Sequence, residues 1–170
     1  MGSTEKFSLW LVPSGEVAAT IQEKISELAE RYDCPAFPVH LTLLPDLEIS
    51  QEKMLSSARE LAQQLQSFKI TLGKMGSGTT YYHCVFQTVD PTPALQSAQH
   101  LAAKIFEVYS GETYSSHLSL MYGNFSMELS KQIAQSIRLQ SPSFQADSLV
   151  IVPATPNPSD WLPVASIPLI

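Results

Sequence analysis

His40-Leu41-Thr42-Leu43 and His117-Leu118-Ser119-Leu120 are the two stretches that decide the reading of this chain. They begin 77 residues apart, a little under half of the 170-residue chain. Side chains alternate faces along a strand. His40 and Thr42 therefore share one face, and Leu41 and Leu43 the other. His117 and Ser119 are set against Leu118 and Leu120 in the same way. In each stretch the leucines can anchor a strand to a helix layer, while imidazole and hydroxyl point together into a cleft.

The surroundings of the two tetrapeptides also match. Lys6 to Val12 reads as a strand stopped by Pro13-Ser14-Gly15. Val17 to Tyr32 follows as a helix, with Ile21, Ile25, Leu28 and Ala29 on one face. After Pro35 and Pro38, Val39 to Leu44 is a strand ended by Pro45. Ser50 to Gln66 is a helix that Ser50 can cap. Phe68 to Met75 is a strand, Gly76-Ser77-Gly78 a turn, and Thr80 to Val89 the returning strand. A helix starts at Asp90-Pro91 and carries Leu95, Ala98, Leu101, Ala102, Ile105 and Val108. Tyr114 to Tyr122 is a strand and Met127 to Arg138 a short helix. Phe144 to Val152 and Val164 to Ile170 close the chain, with Pro153, Pro156, Pro158 and Pro163 between them. The order helix, His-bearing strand, helix, strand thus occurs twice. The fold class is α+β: two pseudo-symmetric lobes of antiparallel sheet, outer helices and a central cleft. No linker separates independent units, so residues 1–170 read as one bilobal domain.

Composition narrows the function. The net charge is −6, unlike the basic surface of a nonspecific nucleic-acid binder, so DNA is not an expected partner and a short substrate is favoured over a polynucleotide. No apolar stretch reaches the ~20 residues needed to span a membrane. Met1-Gly2 lacks the Ser or Thr that myristoylation needs at the sixth position, which is Lys6. Cys34 and Cys84 are the 2 cysteines, without metal-ligand spacing or a disulfide framework. A reduced, cytoplasmic, monomeric protein is the expectation.

Two imidazoles and two hydroxyls in one cleft suit phosphodiester hydrolysis. One histidine takes a proton from water and the other gives one to the leaving ribose oxygen, since histidine titrates near ~6.5. Thr42 and Ser119 can donate to the non-bridging phosphate oxygens. Neither a metal nor a cofactor is required. A lone strand histidine is usually structural; two copies in matching register are not easily accidental.

At these motifs the chain resembles the two-histidine (2H) phosphoesterase superfamily, and within it the plant and yeast type cyclic phosphodiesterases. The likeness extends to Phe7-Ser8-Leu9-Trp10, Phe37-Pro38-Val39-His40, Ser77-Gly78-Thr79 through Cys84-Val85-Phe86, and Ser116-His117 through Tyr122. The resemblance implies His40 and His117 as the catalytic pair, with His117 as base and His40 as acid, an order that the site's near-symmetry leaves open. It implies Thr42 and Ser119 as phosphate-binding hydroxyls, Trp10 beside the base of the substrate, and Tyr122 near the phosphate. Strict alternation puts Tyr122 on the Leu120 face, so a bulge or a strand end at Gly123 must turn it back. His83 and His100 read as residues of a strand face and a helix surface. The implied substrates are small cyclic nucleotide phosphates: ADP-ribose 1″,2″-cyclic phosphate, which arises in tRNA splicing, and nucleoside 2′,3′-cyclic phosphates. Two alternatives stand beside this: an enzyme of RNA ends or 2′-5′ linkages in the same superfamily, and a nucleotide-binding module without catalysis. The two cysteines are fewer than in some plant relatives, which leaves redox control open.

Overall fold

A computed structural model describes residues 5–108, 115–140 and 142–170. Among these residues, two four-stranded antiparallel sheets carry the architecture. The first has the order β2-β1-β7-β8, built from β1 (Glu5–Leu11), β2 (Leu41–Ile49), β7 (Ser148–Pro153) and β8 (Ala165–Pro168). The second has the order β5-β4-β3-β6, built from β3 (Phe68–Thr80), β4 (His83–Val89), β5 (His117–Met121) and β6 (Ser143–Ala146). The helices are α1 (Gly15–Tyr32), α2 (Gln51–Ala62), α3 (Pro93–Ile105) and α4 (Met127–Ser136). No described helix is long and apolar enough to cross a membrane.

The pseudo-symmetry lies in these orders. Each histidine motif meets its sheet at an edge strand, β2 or β5, and the two edges touch each other. Helices α2 and α4 cover their own sheets, whereas α1 reaches β5 and α3 reaches β2. Each motif strand is thus backed by a helix that follows a strand of the other sheet. Leu41, Leu43, Leu118 and Leu120 are buried, as alternation requires. Phe7, Leu9 and Leu11 bury the same face of β1, leaving Lys6, Ser8 and Trp10 for the cleft. Three helices begin at hydroxyl caps: Ser50 accepts from the Lys53 amide, Thr92 from Leu95 and Ser126 from Leu129.

Several boundaries differ from the sequence reading. β2 does not stop at Pro45 but continues to Ile49. It is an edge strand, where a missing N–H is tolerated. Asp46, at φ 48°, and two register shifts against β1 absorb the irregularity. Helix α2 ends at Ala62 rather than at Gln66. Gly76-Ser77-Gly78 is not the turn: β3 runs through it to Thr80, and the chain reverses at Tyr81-Tyr82. Here the glycines serve close approach. A Cβ on Gly76 would lie 2.5 Å from the Phe86 ring, and one on Gly78 2.1 Å from the His83 carbonyl oxygen. The run Phe144 to Val152 splits at Asp147 into β6 and β7, which belong to different sheets. β5 begins at His117; Tyr114, the expected start, lies outside the described residues, as do Met1 and Gly2.

Candidate active site

A cleft of about 500 Å³ lies between the two sheets. Its walls include all six residues singled out from the sequence: Trp10, His40, Thr42, His117, Ser119 and Tyr122. Trp10 pairs with Thr42 across β1 and β2. His40 stands one residue before β2, and His117 opens β5.

The two histidines are held alike. His40 Nδ1–H donates to the Pro38 carbonyl at 2.7 Å, and His117 Nδ1–H to the Ser115 carbonyl at 3.3 Å. Each carbonyl sits two residues upstream of its histidine. A carbonyl can only accept, so the proton of each neutral ring belongs on Nδ1 and the lone pair on Nε2. Burial pushes His40 down to about 4, against the opposing pull of the Pro38 carbonyl. Burial also lowers His117, again opposed by its carbonyl. Without a bound anion, both rings are therefore neutral at neutral pH.

Tyr122 reaches the cleft by a bulge. Met121 pairs with Val85 but Ser119 with Phe86, so Leu120 is the extra residue and the alternation flips after it. Tyr122 then stacks on Phe37, with ring centroids 3.9 Å apart. Ser119 Oγ donates to the Tyr82 carbonyl at 3.3 Å.

Trp10 lines the cleft but is only 4% exposed. One face of its indole lies against the His40 ring, with centroids 3.7 Å apart and planes 11° apart. Its first partner is thus an imidazole.

A family model described as cyclic phosphodiesterase-like protein matches residues 5–167. The chain belongs to this family. It is a phosphodiesterase of the two-histidine kind. A cyclic phosphodiesterase of Arabidopsis thaliana is 22% identical over 125 residues, which are 74% of this chain and 69% of the plant protein. Among solved structures, a protein of Thermus thermophilus superposes with a TM-score of 0.66 at 15% identity, covering 96% of this chain and 97% of that one. E. coli LigT in complex with phosphate superposes with a TM-score of 0.63 at 14% identity, covering 99% of each chain. At such identities the two structures speak for the fold.

Among the cleft residues of this phosphodiesterase that were not foreseen, three carry rings beside the motif residues. His83, read as a strand-face residue outside the site, lines the cleft and meets the His117 ring at 4.5 Å. Tyr82, in the β3–β4 turn, lines the mouth and is 45% exposed. Trp161 follows a short 3-10 turn, Pro158–Asp160, and donates from Nε1 to the Thr155 carbonyl at 2.8 Å. Its ring sits edge-on to both Trp10 and His40. The one signal for Trp161 was a large aromatic in a proline-rich connection, where a core residue is out of place. His100, by contrast, is exposed on α3, as expected.

Proposed function

We propose that this phosphodiesterase opens small nucleotide cyclic phosphates to phosphomonoesters, using His117 as base and His40 as acid. The substrate class comprises ADP-ribose 1″,2″-cyclic phosphate and nucleoside 2′,3′-cyclic phosphates. The observation that carries the reading is the matched tethering of the two imidazoles, which leaves two Nε2 atoms for one substrate.

In this mechanism the Nε2 lone pair of His117 takes a proton from water as the water oxygen attacks phosphorus. The less buried ring suits that role, because water reaches it. The bond from phosphorus to one ribose oxygen breaks, and His40 Nε2–H protonates that oxygen. Phosphate charge favours a protonated His40 when substrate is bound. The short bond to Pro38 and the Trp10 face also favour the cation. A buried imidazolium of low pKa then gives its proton up readily. Thr42 and Ser119 donate to the non-bridging oxygens, where charge builds. The step consumes one water and returns the two histidines with their proton states exchanged.

The size and charge of the cleft support a small substrate. Among the described residues, Lys6 is the one Lys or Arg in its lining, and it lies 3.3 Å from Glu48. An RNA-end enzyme needs a cationic track along the backbone, which the described walls lack. Among the described residues no three His, Cys, Asp or Glu side chains gather as a metal site, and the mechanism calls for no metal.

The test is phosphorus-31 NMR of the protein with each cyclic substrate, in the presence of a chelator. Conversion to a monoester is expected. His40→Ala and His117→Ala should each lower turnover at least ~100-fold, with KM changed far less. Conversion of neither substrate would overturn the reading, as would normal rates in either variant.

A further inference from the structure

The two motif histidines have unlike neighbours. His40 rests on an indole that cannot titrate. His117 meets a second imidazole, that of His83, with ring centroids 4.5 Å apart and planes at 63°. His83 is itself stacked flat on Phe86, at 3.9 Å and 13°, and Phe86 meets His117 at 5.4 Å. Gly76 and Gly78 on β3 clear the space under this pair, since a Cβ at either would strike Phe86 or His83. His83 is therefore a placed ring and not a loose surface residue.

Charge gives this placement a use. A phosphate brings negative charge into a cleft whose one described Lys or Arg, Lys6, is paired with Glu48. Asp46 adds a further negative group to the lining. His40 and His117 have to change protonation state during turnover. His83 does not, so it is free to answer the charge of the ligand.

We propose that His83 is a third, anion-responsive imidazole of this cleft, a positioning residue that takes up a proton when phosphate enters and holds His117 through the ring contact. The inference rests on the reading of the cleft as a phosphate site. The titratable groups sharing the cleft with His83 are Lys6, His40, Asp46, Tyr82, His117 and Tyr122. Of these, within the described residues, His117 is the one that makes a ring contact with it. Without an anion, burial and then His117 keep His83 below the usual histidine range. An anion within ~4–6 Å reverses that balance, because it favours the charged form.

The experiment uses sulfate, a dianion whose charge is constant from about pH 5 to 8, and NMR of the imidazole Cε1–H signals. The chain has 4 histidines, which single substitutions assign. Saturating sulfate is expected to raise the midpoint of His83 by at least about one pH unit. An unmoved midpoint overturns the inference. His83→Phe keeps the stacked ring but cannot take a proton, and His83→Gln removes the ring as well. Both should bind sulfate about two- to fivefold more weakly at about pH 6.5, and their binding should lack the proton uptake that calorimetry detects in the parent. His83→Phe, which keeps the ring, should raise KM for a cyclic phosphate more than it lowers kcat, whereas His83→Gln, which also frees His117, should lower kcat as well. Unchanged affinity and proton uptake in both variants would overturn the inference too. Sulfate titration needs no turnover. A protein that hydrolyses neither cyclic phosphate but shows the His83 response keeps this inference and loses the proposed substrate; turnover with His83 unmoved does the reverse.

Discussion

The imidazole of His40 lies flat on the indole of Trp10, with ring centroids 3.7 Å apart and planes 11° apart. Together with the bond to the Pro38 carbonyl, this contact fixes both the tilt and the rotation of the ring. Trp10→Leu should therefore lower kcat at least about tenfold while changing KM less, because His40, the proposed acid, loses its orientation. Trp10→Phe should recover most of the rate. Steady-state kinetics on a nucleoside 2′,3′-cyclic phosphate decide it. A loss confined to KM would instead make Trp10 a platform for the substrate base.

Thr42 and Ser119 are matched in the two motifs, and the hydroxyl of Ser119 is held by a 3.3 Å bond to the Tyr82 carbonyl. That bond is long enough to exchange for a phosphate oxygen. Thr42→Val and Ser119→Ala should each reduce kcat/KM by about 100-fold, the usual cost of removing one donor to developing charge. Circular dichroism of the variants checks that the fold is kept. Rates within about twofold of the parent would take that hydroxyl out of the mechanism.

His40 also makes stability depend on pH. Burial holds it at about 4 in the folded chain, against ~6.5 when unfolded. Between these values the unfolded chain binds the proton and the folded one does not. Its stabilising contribution is complete above ~6.5 and is lost as pH falls towards 4, by roughly 3 kcal/mol at most. His83 and His117 are lowered as well and act in the same direction. Urea unfolding between about pH 7.5 and 4.5 should show a shallower loss in His40→Gln than in the parent. Parallel curves for the two proteins would mean that His40 is protonated without cost in the fold.

Gly78 faces backbone. A Cβ there would sit 2.1 Å from the His83 carbonyl oxygen, whereas one on Gly73 would meet the movable Thr88 hydroxyl at 2.5 Å. Gly78→Ala should destabilise the protein by about 2 kcal/mol or more, and Gly73→Ala by clearly less. Chemical denaturation of the two variants makes the comparison. Equal midpoints would show that the β3–β4 hairpin yields at Gly78 as easily as at Gly73.

Much of this was legible in the residues. The apolar spacing of α1 and α3, the cap at Ser50, and the alternation through Leu41 and Leu118 are local patterns. A chain segment carries them wherever it folds. The duplicated tetrapeptide was legible for the same reason, and with it the presence of His40, Thr42, His117 and Ser119 in one cleft. What only the tertiary structure decided depends on partners far away in sequence. The edge positions of β2 and β5 bring the motifs face to face, and an edge is defined by a neighbour that is missing. Pro45 stays inside β2 because of that edge. Asp147 divides one apolar run because the two sheets compete for it. Leu120 bulges because β4 offers it no partner, and so Tyr122 turns inward. Gly76 and Gly78 looked like a turn because a glycine's absent side chain is the same in both settings; only the rings of Phe86 and His83 packed across from them reveal a strand. His83 enters the site by that packing alone.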